Sequence, residues 1–214
     1  YNGSGKFWSE TKRLIAGPDP FTRATGHIDV ANIVDFMLLW VSGNSESEFR
    51  AFGSSVRGVP FKFMMKDADG FLRNPGHSAS HAGPYSVMSR MRSGQGGKEY
   101  SILLADRIHK HFFNNGALTP ARNIERLQRR VDEARLGFVS EAARWGNLFR
   151  DPASWESYQN NLIKNHFPGL TQTMISRFRS AGMYPNTVAP VFSRHGGTVA
   201  PDTPVTLATD ADTL

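Results

Sequence analysis

The sequence predicts an α-rich α+β domain. Two patterns point there: several segments carry apolar residues at spacings of three and four, and one short segment alternates apolar and other residues before the acid-rich turn Asp67-Ala68-Asp69-Gly70. No internal repeat is evident. With 214 residues the chain suits one ordinary domain, or one and a half. Its 39% hydrophobic and 11% aromatic residues can fill a core.

Residues 1–26 read as a loop-rich opening in which Pro18 and Pro20 forbid a long helix. Asp29 then stands as N-cap to a helix whose buried face is Val30, Ile33, Val34, Met37, Leu38 and Val41, closed by Gly43-Asn44. Residues 45–58 are polar and Gly/Ser-rich, as a loop would be. Phe61, Phe63 and Met65 alternate with Lys62 and Met64, a short strand that delivers its end to Asp67. Residues 70–97, with six glycines and two prolines, predict a long irregular connection of the kind that is usually functional or mobile.

From Lys98 the pattern turns helical. Ile102, Leu103, Ala105, Ile108, Phe112 and Phe113 form one side, and Asn114-Asn115-Gly116 ends it. Thr119-Pro120 restarts a helix over 120–145, Thr as N-cap and Pro at the first position, with Ile124, Leu127, Val131 and Ala134 inward. Two further helices are expected near 153–166 and 170–181, divided by Pro168-Gly169. Gly182 and Pro185 close the helical region.

Charge excludes little. The 25 basic and 19 acidic residues leave +6, but they are scattered rather than gathered in a stripe, so a nucleic-acid partner is not expected. The absence of cysteine removes disulfides, thiolate metal sites and cysteine nucleophiles. The longest apolar run, Phe36 to Val41, is far too short to span a membrane. Tyr1 to Gly5 reads as mid-domain chain and Val199 to Leu214 stops in a strand-like, turn-rich stretch, as expected of a fragment cut at both ends.

Chemistry concentrates at Asp67-Ala68-Asp69-Gly70. Carboxylates at i and i+2 just past a strand can approach one hard cation, and magnesium takes one or two carboxylates with water and phosphate oxygens completing its shell. A surface turn is the plainer reading of the same four residues. Phe71 and Arg73 at the following positions argue against a calcium loop of EF-hand type. Asn44-Ser45-Glu46-Ser47-Glu48 could position a hydroxyl or a second metal, or be a solvated helix end. His77 and His81 have zinc-ligand spacing, but the flanking Gly76, Gly83 and Pro84 remove the helix that would give it meaning. His109 and His111 read as surface or interface residues. No P-loop, G-x-S-x-G or H-E-x-x-H motif occurs.

The run Ile28-Asp29-Val30-Ala31-Asn32-Ile33-Val34-Asp35-Phe36-Met37-Leu38-Leu39 resembles the "IDVDNFIDYMLLN" helix of the spore-coat CotH kinase family. Residues 105–120 (ADRIHKHFFNNGALTP) and 140–146 (SEAARWG) resemble its bacterial secreted branch. The resemblance covers roughly residues 1–190. It implies the C-terminal lobe of an atypical protein-kinase-like fold over 1–189, with the N-terminal lobe upstream. Residues 190–214 would be a linker and the first strands of a truncated β-sandwich module.

It further implies a secreted or cell-envelope enzyme that uses Mg²⁺ and ATP to phosphorylate protein serines, with oligomeric state open. Carried over by position, Asp67 and Asp69 fall on the family's "W-D-x-D" metal-binding acids, and Asn44 on the Asn of its "N-T-D" stretch. Ser45-Glu46 stands where Thr-Asp is usual, so Glu46, or else Glu48, would take the catalytic carboxylate's place. Lys66 stands where Trp is usual, and Phe49-Arg50-Ala51-Phe52 replaces the usual aromatic and Asn residues. No glycine-rich phosphate loop or strand lysine can be named, so this stretch alone would lack half of the ATP site. The alternative is a degenerate, non-catalytic module that binds an extracellular or cell-surface partner.

Overall fold

A helix apolar almost all the way round belongs at the centre of a domain, and Val30–Gly43 (α3) is such a helix. Its Val30, Ile33, Val34, Phe36, Met37, Leu38, Trp40, Val41 and Ser42 are buried, so more than the single expected face is covered. The computed structural model describes residues 4–43, 48–54, 58–72, 84–146, 151–195 and 197–209. Asp29 caps α3 as expected, its Oδ1 accepting from Asn32 N at 2.9 Å.

The opening is not a loop. Ser4–Ile15 (α1) and Pro20–Thr25 (α2) are helices: Pro18 and Pro20 prevent one long helix, as expected, but leave two short ones, and Pro20 sits in the first turn of α2 where it costs no hydrogen bond. The predicted loop 45–58 holds a strand, Glu48–Ser54 (β1), paired antiparallel with Val59–Lys66 (β2). Its alternation was hidden by Arg50 and Gly53. Phe49 and Ala51 of β1 share a face with Phe61, Phe63 and Met65 of β2 and pack against the core.

That face meets α1 and α3 through aromatic rings. Phe7 lies 4.5 Å from Phe61, Trp8 5.9 Å from Phe49, and Phe36 6.0 Å from Phe63 between ring centroids. Such tilted and edge-on pairs add about 0.5–1.5 kcal/mol each beyond their buried area. The backbone of Ile28 adds an isolated parallel bridge to Phe61, through Asp29 N to Phe61 O (2.9 Å) and Phe61 N to His27 O (2.8 Å).

Within the predicted connection 70–97, Tyr85–Ser93 (α4) is helical, burying Val87, Met88 and Met91. Gly97–Phe112 (α5) and Pro120–Trp145 (α6) lie close to their predicted bounds. On α5 the buried side chains are Tyr100, Leu104, Ile108 and Phe112, while Ile102 is exposed. On α6 Val131 is buried and Ala134 is exposed, since the outer half of α6 runs away from the core. Pro152–Asn161 (α7), a π-helical turn Leu162–His166 and Phe167–Ser180 (α8) follow without the expected break, because Pro168 occupies the first turn of α8.

The chain ends in a minimal hairpin, Val191–Phe192 (β3) with Leu207–Ala208 (β4), whose residues are exposed. Among the described residues no helix is long and apolar enough to cross a membrane.

Candidate functional site

Two features lie along α3, one at its C-terminal end and one near its middle. The first is the acid turn. Register pairs Glu48 with Lys66, so the chain entering β1 and the chain leaving β2 share one end of the hairpin. Asp67 follows in the left-handed region (φ 59, ψ 58), and Ala68–Gly70 form one 3₁₀ turn. Leu72, also left-handed at φ 63, donates its N–H to Gly43 O at 2.6 Å, while Leu72 O accepts from Tyr158 Oη. Non-glycine residues in this region are uncommon, and they persist only where surroundings hold them.

Phe71 packs so tightly on Gly43 that a β-carbon there would lie 1.9 Å from the ring. The turn is therefore tied to the end of α3 by a hydrogen bond and a ring contact. Asp67 is exposed at the end of its strand. Asn44 and Glu46 lie outside the described residues, as do the side chains of Glu48 and Asp69 and both His77 and His81. Among the described residues, no three acidic or histidine side chains gather as a metal centre. Of the two predicted metal acids, Asp67 is the one whose side chain is described, and it faces solvent.

The second feature was not anticipated from the sequence. Asp35, the one charged residue of α3, is clamped by α5. Arg107 donates from Nε to Asp35 Oδ1 at 2.7 Å and from Nη2 to Oδ2, and His111 Nε2 lies 2.9 Å from Oδ1. A carboxylate only accepts, so the proton of a neutral His111 sits on Nε2, and the 3.3 Å approach of Arg107 Nη2 to that nitrogen is a contact rather than a bond. Burial would raise the Asp35 pKa, but the hydrogen bonds from His111 and Arg107 outweigh it and hold the carboxyl below its usual range. His111 is thus a structural partner of Asp35, and His109 bonds Tyr184 Oη through Nδ1 at 2.9 Å, so neither is a plain surface residue.

Asp35, Leu39 and Ser42 follow at i, i+4 and i+7, one stripe of α3, and that stripe lines a cavity of about 430 Å³. Phe71 and Leu72 of the acid turn, Phe167 and Leu170 of α8, and His111, Ala117, Leu118, Asn123 and Arg126 line it with them. The signals that could have revealed this site are a lone acid inside an apolar helix and the i, i+4 pair Arg107 and His111. Comparison with protein-family models, with curated proteins and with solved structures finds no match to this chain.

Proposed function

We propose that this chain is the C-terminal lobe of a CotH-like protein serine kinase, secreted or held at the cell envelope. The observation that carries the reading is the joining of the α3 terminus to the Asp67–Leu72 turn at one end of an antiparallel hairpin. A kinase needs this order of parts. One loop places an Asn and a carboxylate that orient the acceptor hydroxyl, and a second, reached through the chain that follows, supplies the acid for Mg²⁺.

Asp67 and Asp69 would hold Mg²⁺, which when bound neutralises charge on the phosphates of ATP. Asn44 would stand beside the metal acids. Glu46, or less favourably Glu48, would accept the serine proton as the hydroxyl attacks the γ-phosphorus, and ADP would leave. The left-handed backbone at Asp67 supports a functional turn, because such strain gathers at sites that must hold one geometry.

The test is transfer of γ-phosphate from radiolabelled ATP, with Mg²⁺, to a serine-rich acceptor, using the chain extended through the nucleotide-cradling lobe expected upstream. Asp67→Ala and Asp69→Ala should each lower transfer at least about 100-fold. Glu46→Asp should raise it, because it restores the usual residue, and a misplacement near 1 Å costs on the order of 100-fold. Absence of both transfer and Mg²⁺-dependent ATP binding would favour the non-catalytic binding module.

A further inference from the structure

We propose that the cavity between α3, α5, α6 and α8 binds a small monocarboxylate with an apolar body, such as a medium-chain fatty acid or an arylalkanoate, and that Arg126 holds its carboxylate. At about 430 Å³ the cavity lies in the size range of sites that enclose small organic ligands, roughly 300–1,000 Å³. Leu39, Phe71, Leu72, Phe167 and Leu170 give it apolar walls suited to a hydrocarbon body. Leu39 is a leucine of the central helix that nevertheless remains 37% exposed. A dry hydrocarbon body would cover it.

Charge decides the polar end. Among the described residues of the wall Asp35 is the one acid, and Arg107 and His111 already occupy its oxygens, so it offers little to a cation. Arg126 is different. On α6, Arg122 pairs with Glu125, Arg129 and Arg130 with Glu133, and Arg135 with Glu156. Arg126 instead donates from Nη2 to the neutral oxygens Ala117 O and Asn123 Oδ1, and among the described residues no carboxylate lies within ion-pair distance of it. Its Nε and Nη1 carry no protein partner there. A guanidinium already oriented, with donors to spare at the rim of an apolar cavity, matches a carboxylate.

The experiment titrates the 214-residue chain with decanoate and with 4-phenylbutyrate, each below its aggregation limit and without ATP, by calorimetry and by thermal shift. Decanol and 4-phenylbutanol serve as uncharged counterparts. Saturable one-to-one binding of at least one acid, tighter than its alcohol, is expected. Arg126→Gln should weaken the acid about tenfold, the equivalent of one charge-assisted hydrogen bond, and leave the alcohol unchanged. Leu170→Trp, which fills the cavity, should abolish both. Because Arg126 is exposed, its variant should melt like the parent chain, and that melt is the check on folding.

Failure of both acids to bind would overturn the assignment. So would acid binding indifferent to Arg126→Gln, or an alcohol that binds as tightly as its acid. None of these outcomes depends on kinase activity.

Discussion

Asp35 shows how one residue can fasten two helices. An acid in the central helix must be paired or protonated, and here Arg107 meets it with two hydrogen bonds and His111 with one, joining α3 to α5. Its carboxyl titrates below the usual range in the folded chain, while the unfolded chain takes up that proton near the ordinary value of about 3.9. The stabilisation is therefore complete above about pH 4 and lost as pH falls through the lower folded value. Asp35→Asn should cost about 2 kcal/mol at neutral pH and flatten the acid limb of stability against pH, read by urea unfolding from pH 2 to 7. An acid limb as steep as the parent's would show that other carboxylates dominate it.

Between helices, the turn from α5 to α6 sets the shape of the cavity. Asn114 adopts φ 56, Leu118 N donates to His111 O at 2.8 Å, and Thr119 N to Gly116 O at 3.1 Å. Gly116 runs against the end of α5 so closely that a β-carbon would lie 2.3 Å from Lys110 O and 2.5 Å from His111 O. These are backbone atoms that cannot swing aside. Gly116→Ala should lower stability by about 1–3 kcal/mol, the usual cost of overpacking. Chemical denaturation would measure it, and unchanged stability would mean that the turn opens without strain. The "FFNNGALTP" stretch was legible as a helix stop and restart. That its glycine also supports the turn carrying Ala117 and Leu118 into a cavity wall was not, because the facing walls come from α3, α8 and the acid turn.

Across the whole molecule, burial is concentrated between Phe7 and Tyr184. After Tyr184 the side chains are exposed or nearly so, and β3 and β4 pair through two residues each without a core of their own. Val191, Phe192, Val205 and Leu207 face solvent. Removing residues 189–214 should therefore shift folding stability by no more than about 0.5 kcal/mol, the usual range for surface changes. Thermal melts of the two chains make the comparison. A larger loss would show that the hairpin docks on the body.

Local physical chemistry by itself determined the helix-rich α+β class, the Asp29 cap and extent of α3, the strand that ends at Asp67, and the Thr119-Pro120 start of α6. Each rests on neighbours within one or two turns, where periodicity and capping act. Tertiary structure alone decided the rest. β1 became a strand because β2 and the rings of α1 and α3 were there to receive Phe49 and Ala51, although its own residues alternate weakly. The acid turn meets the end of α3 through Gly43 and Leu72, and Asp35 meets Arg107 and His111 across more than seventy positions of chain. Such pairings carry no local period. They exist because a half-buried carboxylate and a buried backbone group must find partners, and only the folded chain brings those partners within reach.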